Sequence, residues 1–212
     1  MNQSLDRTSR RAVLAGMGAG MVALAGCLGG GDGADESPTL GEDDAAVTLE
    51  AYTDFGCGGC AEYAATYFDD IIAQYVDTGD VQYKHRDLVI PAHDQSEQAA
   101  SAAREVFHDA GNDAFWEYKT LLLARQDELG GGPSFFGELA TEVGADGDSV
   151  ASAAENLEHS SDVDADDTRG RENGVGGTPG FMVDGTAVDE GETLNERINA
   201  VTAEIENQLD GS

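Results

Sequence analysis

Positively charged residues are scarce in this sequence. Of its 212 residues, 11 are Lys or Arg and 42 are Asp or Glu, so the formal net charge is -31 at pH 7. Such a chain repels polyanions, which excludes nucleic acid as a partner. Repulsion among its own carboxylates also opposes a compact state in dilute buffer, but a Debye length of about 3 Å at molar salt screens most of it. We therefore expect a protein that folds best in strong salt.

The composition nevertheless favours a folded protein over an acidic disordered chain. Hydrophobic residues make up 40% of the sequence and recur with clear periodicity. The length suits one domain with appendages and is enough to bury a core. The acidic balance, with Lys84 and Lys119 as the only lysines, resembles that of proteins from extreme halophiles.

No hydrophobic run is long enough to span a membrane. The apolar stretch over residues 12–26 has 15 residues, whereas a spanning helix needs about 20. It directly follows the paired Arg10 and Arg11, an arrangement typical of an export signal. Ser9 and the two arginines resemble a twin-arginine signal, which exports folded proteins.

The end of this stretch, Leu24-Ala25-Gly26-Cys27, resembles the lipobox of exported lipoproteins. Residues 1–26 are therefore predicted to be removed, leaving Cys27 as a lipidated first residue; the alternative is a signal cut beside a chance cysteine. Residues 27–45 consist mostly of Gly, Asp, Glu, Ser and Pro and predict an acidic, Gly-rich tether. The predicted location is the outer face of the cell membrane.

Cysteine is also rare, with three in the chain. If Cys27 carries the lipid, Cys57 and Cys60 are the two that remain, and no structural disulfide can form beside them. They lie in the run Phe55-Gly56-Cys57-Gly58-Gly59-Cys60. Outside the cell, such a dithiol meets the disulfide chemistry of secreted proteins.

The pattern around these cysteines predicts a β-α-β unit. Residues 47–52 alternate as a strand that runs into the cysteine turn, and residues 81–86 alternate as a second strand. Between them, apolar residues recur at steps of three and four from Ala64 to Tyr75, which predicts a helix that stops at Gly79.

The rest of the chain predicts consecutive helices and then a hairpin with a final helix. Residues 94–173 show helical periodicity without an interrupting strand. Asp184-Gly185 between two short apolar runs is a strong hairpin signal. Thr193 and Glu196 form a capping box that opens a helix with one apolar stripe.

Four motifs fall along this order of elements: Thr53-Asp54-Phe55-Gly56-Cys57-Gly58-Gly59-Cys60, His85-Arg86-Asp87-Leu88, Ala114-Phe115-Trp116 and Gly177-Thr178-Pro179-Gly180-Phe181. Together, the order and the motifs resemble those of the DsbA-like thiol:disulfide oxidoreductases of the thioredoxin fold. The resemblance implies an α/β fold: residues 46–93 and 174–212 form a thioredoxin-like domain, and residues 94–173 form a helical insertion.

The position of the two thiols predicts their roles. At the start of a helix the first cysteine faces outward and the second lies behind it, so Cys57 is the predicted nucleophile and Cys60 the resolving thiol. The positive helix N-terminus favours the thiolate and lowers the pKa of Cys57. The resemblance further implies that Pro179 is cis and lies against the cysteines, and that Thr178 and Pro179 shape the substrate-binding face. No cofactor beyond the cysteine pair is expected.

Two departures from the family leave the redox potential open. Many relatives carry an acidic residue, a buried proton relay, where this chain has Ala51; the neighbouring Glu50 is expected to lie solvated on the opposite face of the strand. Gly58 and Gly59 stand where relatives often carry Pro and His or an aromatic residue. Loss of that side chain favours a milder oxidant, whereas the added freedom of the reduced loop favours a stronger one. The reduction potential is therefore expected anywhere between about -270 and -120 mV.

The sequence thus predicts an enzyme that exchanges disulfides with exported proteins, oxidising their thiols, with a membrane redox partner as a candidate. One alternative is a reductase or isomerase with the same site. Another is a metallochaperone that holds Cu(I) or Zn(II) between Cys57 and Cys60. The spacing of these cysteines to His85 and His93 fits no usual zinc motif, so no metal site is predicted. Trp116 and Phe115 are expected in the core of the insertion, and His108 and His159 are expected to be solvated.

Overall fold

The computed structural model describes residues 37–90, 92–188 and 191–211. The predicted signal, the lipobox and Cys27 lie outside these residues. Five strands form a mixed sheet in the order β1-β3-β2-β4-β5. They are β1 (Thr39–Leu40), β2 (Val47–Thr53), β3 (Val81–Asp87), β4 (Gly180–Val183) and β5 (Thr186–Ala187). β2 and β3 are parallel and the other neighbouring pairs are antiparallel.

The β-α-β unit is present, but its helix is divided. α1 (Gly58–Thr66) and α2 (Phe68–Ile71) are followed by a turn of π-helix over Ile72–Val76. Gly79 ends the segment with a φ of +84°, a conformation that glycine adopts without steric cost. After Gly79 the chain enters β3. The cysteine turn lies between the end of the central strand β2 and the start of α1.

Helices fill the predicted insertion. They are α3 (Ser96–Ala110), α4 (Asn112–Ala124), α5 (Gly132–Glu142), α6 (Gly147–Asn156) and α7 (Ser160–Glu172), with a 3-10 helix over Gln126–Gly131. Their apolar faces join the core of the sheet: Phe115, Tyr118 and Leu122 are fully buried. Trp116 is 8% exposed, which confirms that this aromatic pair belongs to the core. None of the described helices is long and apolar enough to cross a membrane.

The hairpin and the last helix match the sequence prediction. Asp184 and Gly185 both have positive φ angles, 46° and 76°, as a tight hairpin turn requires. α8 (Leu194–Gly211) begins with a reciprocal cap. The Glu196 carboxylate accepts a hydrogen bond from the Thr193 N–H at 3.0 Å, and the Glu196 N–H donates to the Thr193 hydroxyl at 3.3 Å.

The predicted tether over residues 27–45 is wrong for part of its length. Thr39 and Leu40 pair with β3, and the Pro38 carbonyl accepts a hydrogen bond from the His85 N–H at 2.9 Å. Ser37 is buried at 8% exposure. An edge strand is held by its backbone groups and needs few apolar side chains, so composition did not reveal it.

A largely buried ion network links Glu50, on the face of the sheet opposite the cysteine helix, to Asp87 at the end of β3. Three carboxylates and three guanidinium groups form it: Glu50, Asp87, Asp166, Arg86, Arg104 and Arg169. Glu50 lies on this face, as strand alternation predicts. The prediction that it is solvated is wrong, because its side chain is 3% exposed and accepts hydrogen bonds from Arg86 at 2.8 Å and Arg169 at 2.7 Å.

Candidate active site

Cys57 is the N-cap residue of α1, in extended backbone geometry. Its N–H donates to the Asp54 carbonyl at 3.1 Å, and its own carbonyl accepts from the N–H groups of Cys60 and Ala61 at 3.0 and 3.2 Å. Cys57 is 9% exposed and Cys60 1% exposed, so the first thiol is the more accessible one. Both thiols are free.

The pKa values of the two thiols are shifted in opposite directions. A hydrogen bond from Cys60 lowers the pKa of Cys57 from 9.0 to about 5. The N–H groups of Cys60 and Gly59 add to this effect, and together these hydrogen bonds outweigh the burial of the thiol. Burial raises the pKa of Cys60 well above 9.0, and its hydrogen bond to Cys57 raises it further. At neutral pH the pair is therefore a thiolate beside a thiol.

Thr178 and Pro179 lie against this pair, and their peptide bond is cis. The Cys57 Sγ is 3.3 Å from the Thr178 carbonyl oxygen, which accepts a hydrogen bond from the thiol when Cys57 is protonated. A Cβ on Gly59 would lie 3.2 Å from the Pro179 ring, whereas a Cβ on Gly58 would meet open space. A side chain at position 59 would therefore be in tight contact with the proline, and nothing in the structure requires the glycine at 58.

Two supporting residues of the cysteine turn were not predicted. The buried Asp54 carboxylate accepts hydrogen bonds from the N–H groups of Gly56 at 2.7 Å and Ile90 at 2.9 Å. From the insertion, the Gln126 side-chain amide donates to the carbonyls of Phe55 at 2.7 Å and Cys57 at 2.9 Å. An Asp in a turn, such as Asp54, is a recognisable signal. No local pattern indicates that Gln126 would contact Cys57, 69 residues earlier in the chain.

Ala51 occupies the expected position on β2, beneath the cysteines and without a carboxylate. Lys119 on α4 lies behind Cys60 instead. Its side chain is 5% exposed, and the two residues line a common cavity of about 160 Å³. Sequence analysis did not single out Lys119, because a lysine within a helical pattern is ordinarily a solvated residue.

The histidines do not join the cysteines. His85 is fully buried on β3, where burial lowers its pKa to about 3 and its Nε2 lies 3.1 Å from the Asp87 carboxylate. His159 is half-buried and lies 2.6 Å from the Glu105 carboxylate, so the expectation that it is solvated is wrong. Among the described residues, one group of three potential metal ligands is close enough to hold an ion: His108, His159 and Asp162. It includes neither cysteine.

A family model described as thioredoxin matches residues 34–202. The chain belongs to the thioredoxin family. Disulfide bond formation protein D of Bacillus subtilis is 29% identical to this thioredoxin-family chain over 91 residues, which are 43% of this chain and 40% of that protein. The matched regions span 40% and 22% of the lengths of the two curated relatives that the chain matches.

Solved structures share the fold over most of the chain. The oxidised form of BdbD from Bacillus subtilis has a TM-score of 0.73 at 23% identity, covering 83% of this chain and 94% of that one. DsbA of Chlamydia trachomatis has a TM-score of 0.68 at 20% identity, covering 83% and 93%. The predicted thioredoxin fold with an inserted helical domain is thereby confirmed in its DsbA-like form.

Proposed function

We propose that this thioredoxin-family chain is a thiol:disulfide oxidoreductase that oxidises the thiols of exported proteins through Cys57 and Cys60. One observation carries the proposal: an accessible sulfur with a pKa of about 5 lies 3.3 Å from the Thr178 carbonyl, directly in front of a buried thiol of high pKa. This is the asymmetry that disulfide exchange requires. The partial match to a disulfide bond formation protein supports the same activity.

The proposed reaction begins from the Cys57–Cys60 disulfide. A substrate thiolate attacks the Cys57 Sγ, the bond to Cys60 breaks, and the Cys60 sulfur leaves with the electron pair and takes up a proton. A second substrate thiolate then attacks the substrate sulfur of the mixed disulfide. The substrate leaves with a new disulfide, Cys57 leaves as a thiolate, and the enzyme has gained two electrons.

Oxidation is the favoured direction because the hydrogen bonds to Cys57 stabilise the reduced state. A dithiol that is stabilised by the ionisation of one thiol is harder to oxidise. Its disulfide is therefore easier to reduce and oxidises substrate thiols more readily. A reductase or isomerase with the same residues would instead need a donor that keeps the pair reduced. Thr178 and Pro179 bound the surface where an extended substrate segment approaches Cys57.

A metallochaperone is the weaker candidate. Cu(I) and Zn(II) bind cysteine as thiolate, so both sulfurs would have to lose their protons. Burial of Cys60 at 1% exposure raises its pKa and opposes this second deprotonation.

The proposed setting is the outer face of the cell membrane, with the domain anchored through a lipid on Cys27 after twin-arginine export. A membrane redox partner would return the reduced pair to the disulfide. Strong salt is the proposed working condition, because the net charge of -31 needs screening.

The function is tested by mixing the oxidised protein, in molar salt, with a reduced unfolded protein that has two cysteines. We expect one substrate disulfide to form for each Cys57–Cys60 disulfide consumed, measured by mass spectrometry after acid quenching. Metal content should be below stoichiometric after incubation with Zn(II) or Cu(I). Tight binding of one metal ion without any disulfide transfer would instead establish the metallochaperone.

A further inference from the structure

Lys119 is an unusual lysine in this chain. It is one of two among 212 residues, yet its side chain is 5% exposed and its Nζ has no hydrogen-bond partner among the described residues. Three rings surround the amine: Trp116 at 4.7 Å from Nζ to ring centroid, and Phe68 and Tyr83 at 5.7 Å each. Aromatic faces offset part of the cost of burying an ammonium group, but they do not supply a hydrogen-bond acceptor.

The cavity beside Lys119 leads to the resolving thiol. Its volume is about 160 Å³, and its lining includes Cys60, Lys119 and Thr53. One water occupies roughly 30 Å³ of liquid volume, so the space has room for a bridging water between the amine and the sulfur. Thr53 and Lys119 give such a water polar partners.

The burial of Lys119 makes its amine a suitable proton carrier. Burial lowers the pKa of Lys119 from 10.5 to about 8, although the charges of Cys60 and Asp87 oppose this shift. The titratable groups that face it come from three elements: Cys60, Tyr63, Asp69, Tyr83, His85 and Asp87. Burial keeps His85 neutral with a pKa of about 3 and raises the pKa of both tyrosines. Lys119 can therefore gain and lose a proton near pH 8, while His85 and the two tyrosines keep the same charge.

We infer that the Lys119 amine exchanges a proton with the Cys60 thiol during disulfide exchange, in the place where Ala51 leaves no carboxylate. The inference rests on the proposed function, because it concerns the resolving step of the same cysteine pair. When a substrate thiolate opens the Cys57–Cys60 disulfide, Cys60 leaves with the electron pair and the Lys119 ammonium gives it a proton. In the reverse direction, neutral Lys119 takes the proton from Cys60. The Cys60 sulfur then attacks the Cys57 Sγ, and the partner sulfur leaves as a thiolate.

The test separates the reactions of the two thiols in time. Reduced protein in molar salt is mixed with excess 4,4′-dithiodipyridine, a neutral disulfide that the acidic chain does not repel. Attack by Cys57 releases the first thiopyridone, and attack by Cys60 on the resulting mixed disulfide releases the second. Mass spectrometry confirms that the product is the Cys57–Cys60 disulfide. The second phase is recorded from pH 6 to 9.5.

We expect Lys119→Met to slow the second phase by about tenfold or more at pH 8, a small effect for the loss of a positioned acid or base. The pH profile of the second-phase rate should also lose its inflection near pH 8. The matched control is Lys84→Met, which changes the other lysine and should keep the wild-type profile. Lys119→Arg keeps a positive charge but cannot accept the proton, so it should remain as slow as Lys119→Met. Near-UV circular dichroism establishes that each variant is folded.

Two results would overturn the inference. One is a second phase in folded Lys119→Met with the wild-type rate and pH profile. The other is full recovery by Lys119→Arg, which would assign the effect to fixed charge. Failure of the proposed function is distinguishable, because wild-type protein would then pass no disulfide to the reduced two-cysteine protein, whatever the rates of the two thiopyridone phases.

Discussion

Cys57→Ser is expected to abolish disulfide exchange, with a loss of at least about 10³-fold, as removal of an essential nucleophile ordinarily produces. The serine hydroxyl is not ionised at neutral pH and cannot form the mixed disulfide. Cys60→Ser should behave differently, because Cys57 keeps the N–H groups of α1 and still attacks. The intermediate then has no resolving thiol. We expect this variant to accumulate partners as mixed disulfides, visible on non-reducing gels.

The third cysteine provides the matched control. Cys27→Ser should keep full exchange activity in a soluble assay, since Cys27 is proposed to carry the anchor and to take no part in the chemistry. Equal residual activity of Cys57→Ser and the wild-type protein would contradict the assignment of the nucleophile. Trapping of partners by Cys57→Ser, rather than by Cys60→Ser, would reverse the two roles.

Arg104→Met is expected to destabilise the protein by about 3–5 kcal/mol, the usual cost of removing one partner from a buried ion pair. Arg104 donates to Asp87 at 2.6 Å and also contacts Asp166, and all three side chains are less than 10% exposed. Without the guanidinium group, two carboxylates face each other in a buried site. Urea unfolding in molar salt measures the loss.

Arg125→Met is the matched control for this change. Arg125 forms an exposed ion pair with Glu142 at 2.9 Å, and solvent screens such a pair, so its loss should change stability little. The two substitutions are chemically identical, so their difference reports burial. Equal loss in both variants would show that the stability of this ion network does not depend on its charge balance.

Much of the site could be predicted because its signals are local. The Cys57 and Cys60 spacing, the Thr178-Pro179 pair and the Asp184-Gly185 turn each prescribe a backbone geometry within a few residues, and the structure has all of them.

The remainder depends on contacts between distant segments. Strand alternation correctly placed Glu50 on the face away from the cysteines, but it could not show that Arg169, 119 residues later, would cover it. Gln126 and Lys119 come to the cysteine turn only through the packing of the insertion on the sheet. The cavity that Lys119 shares with Cys60 likewise has no sequence pattern.

The central claim is that a stabilised Cys57 thiolate makes this pair an oxidant. Lowering the pKa from 9.0 to about 5 stabilises the reduced form by about 2.7 kcal/mol at pH 7, or about 60 mV for a two-electron couple. Relative to thioredoxin, whose nucleophile has a pKa near 7 and whose potential is about -270 mV, we expect about -220 mV.

The most direct test is the reduction potential of the Cys57/Cys60 couple as a function of pH, measured against glutathione or dithiothreitol buffers in molar salt. Below the pKa of Cys57 two protons accompany the two electrons, so the potential should fall by about 59 mV per pH unit. Above about pH 5 Cys57 stays ionised, one proton is taken up, and the slope should halve to about 30 mV. A potential near -220 mV at pH 7 with this break agrees with the account. An unbroken slope of about 59 mV through pH 7, with a potential at or below about -270 mV, would contradict it.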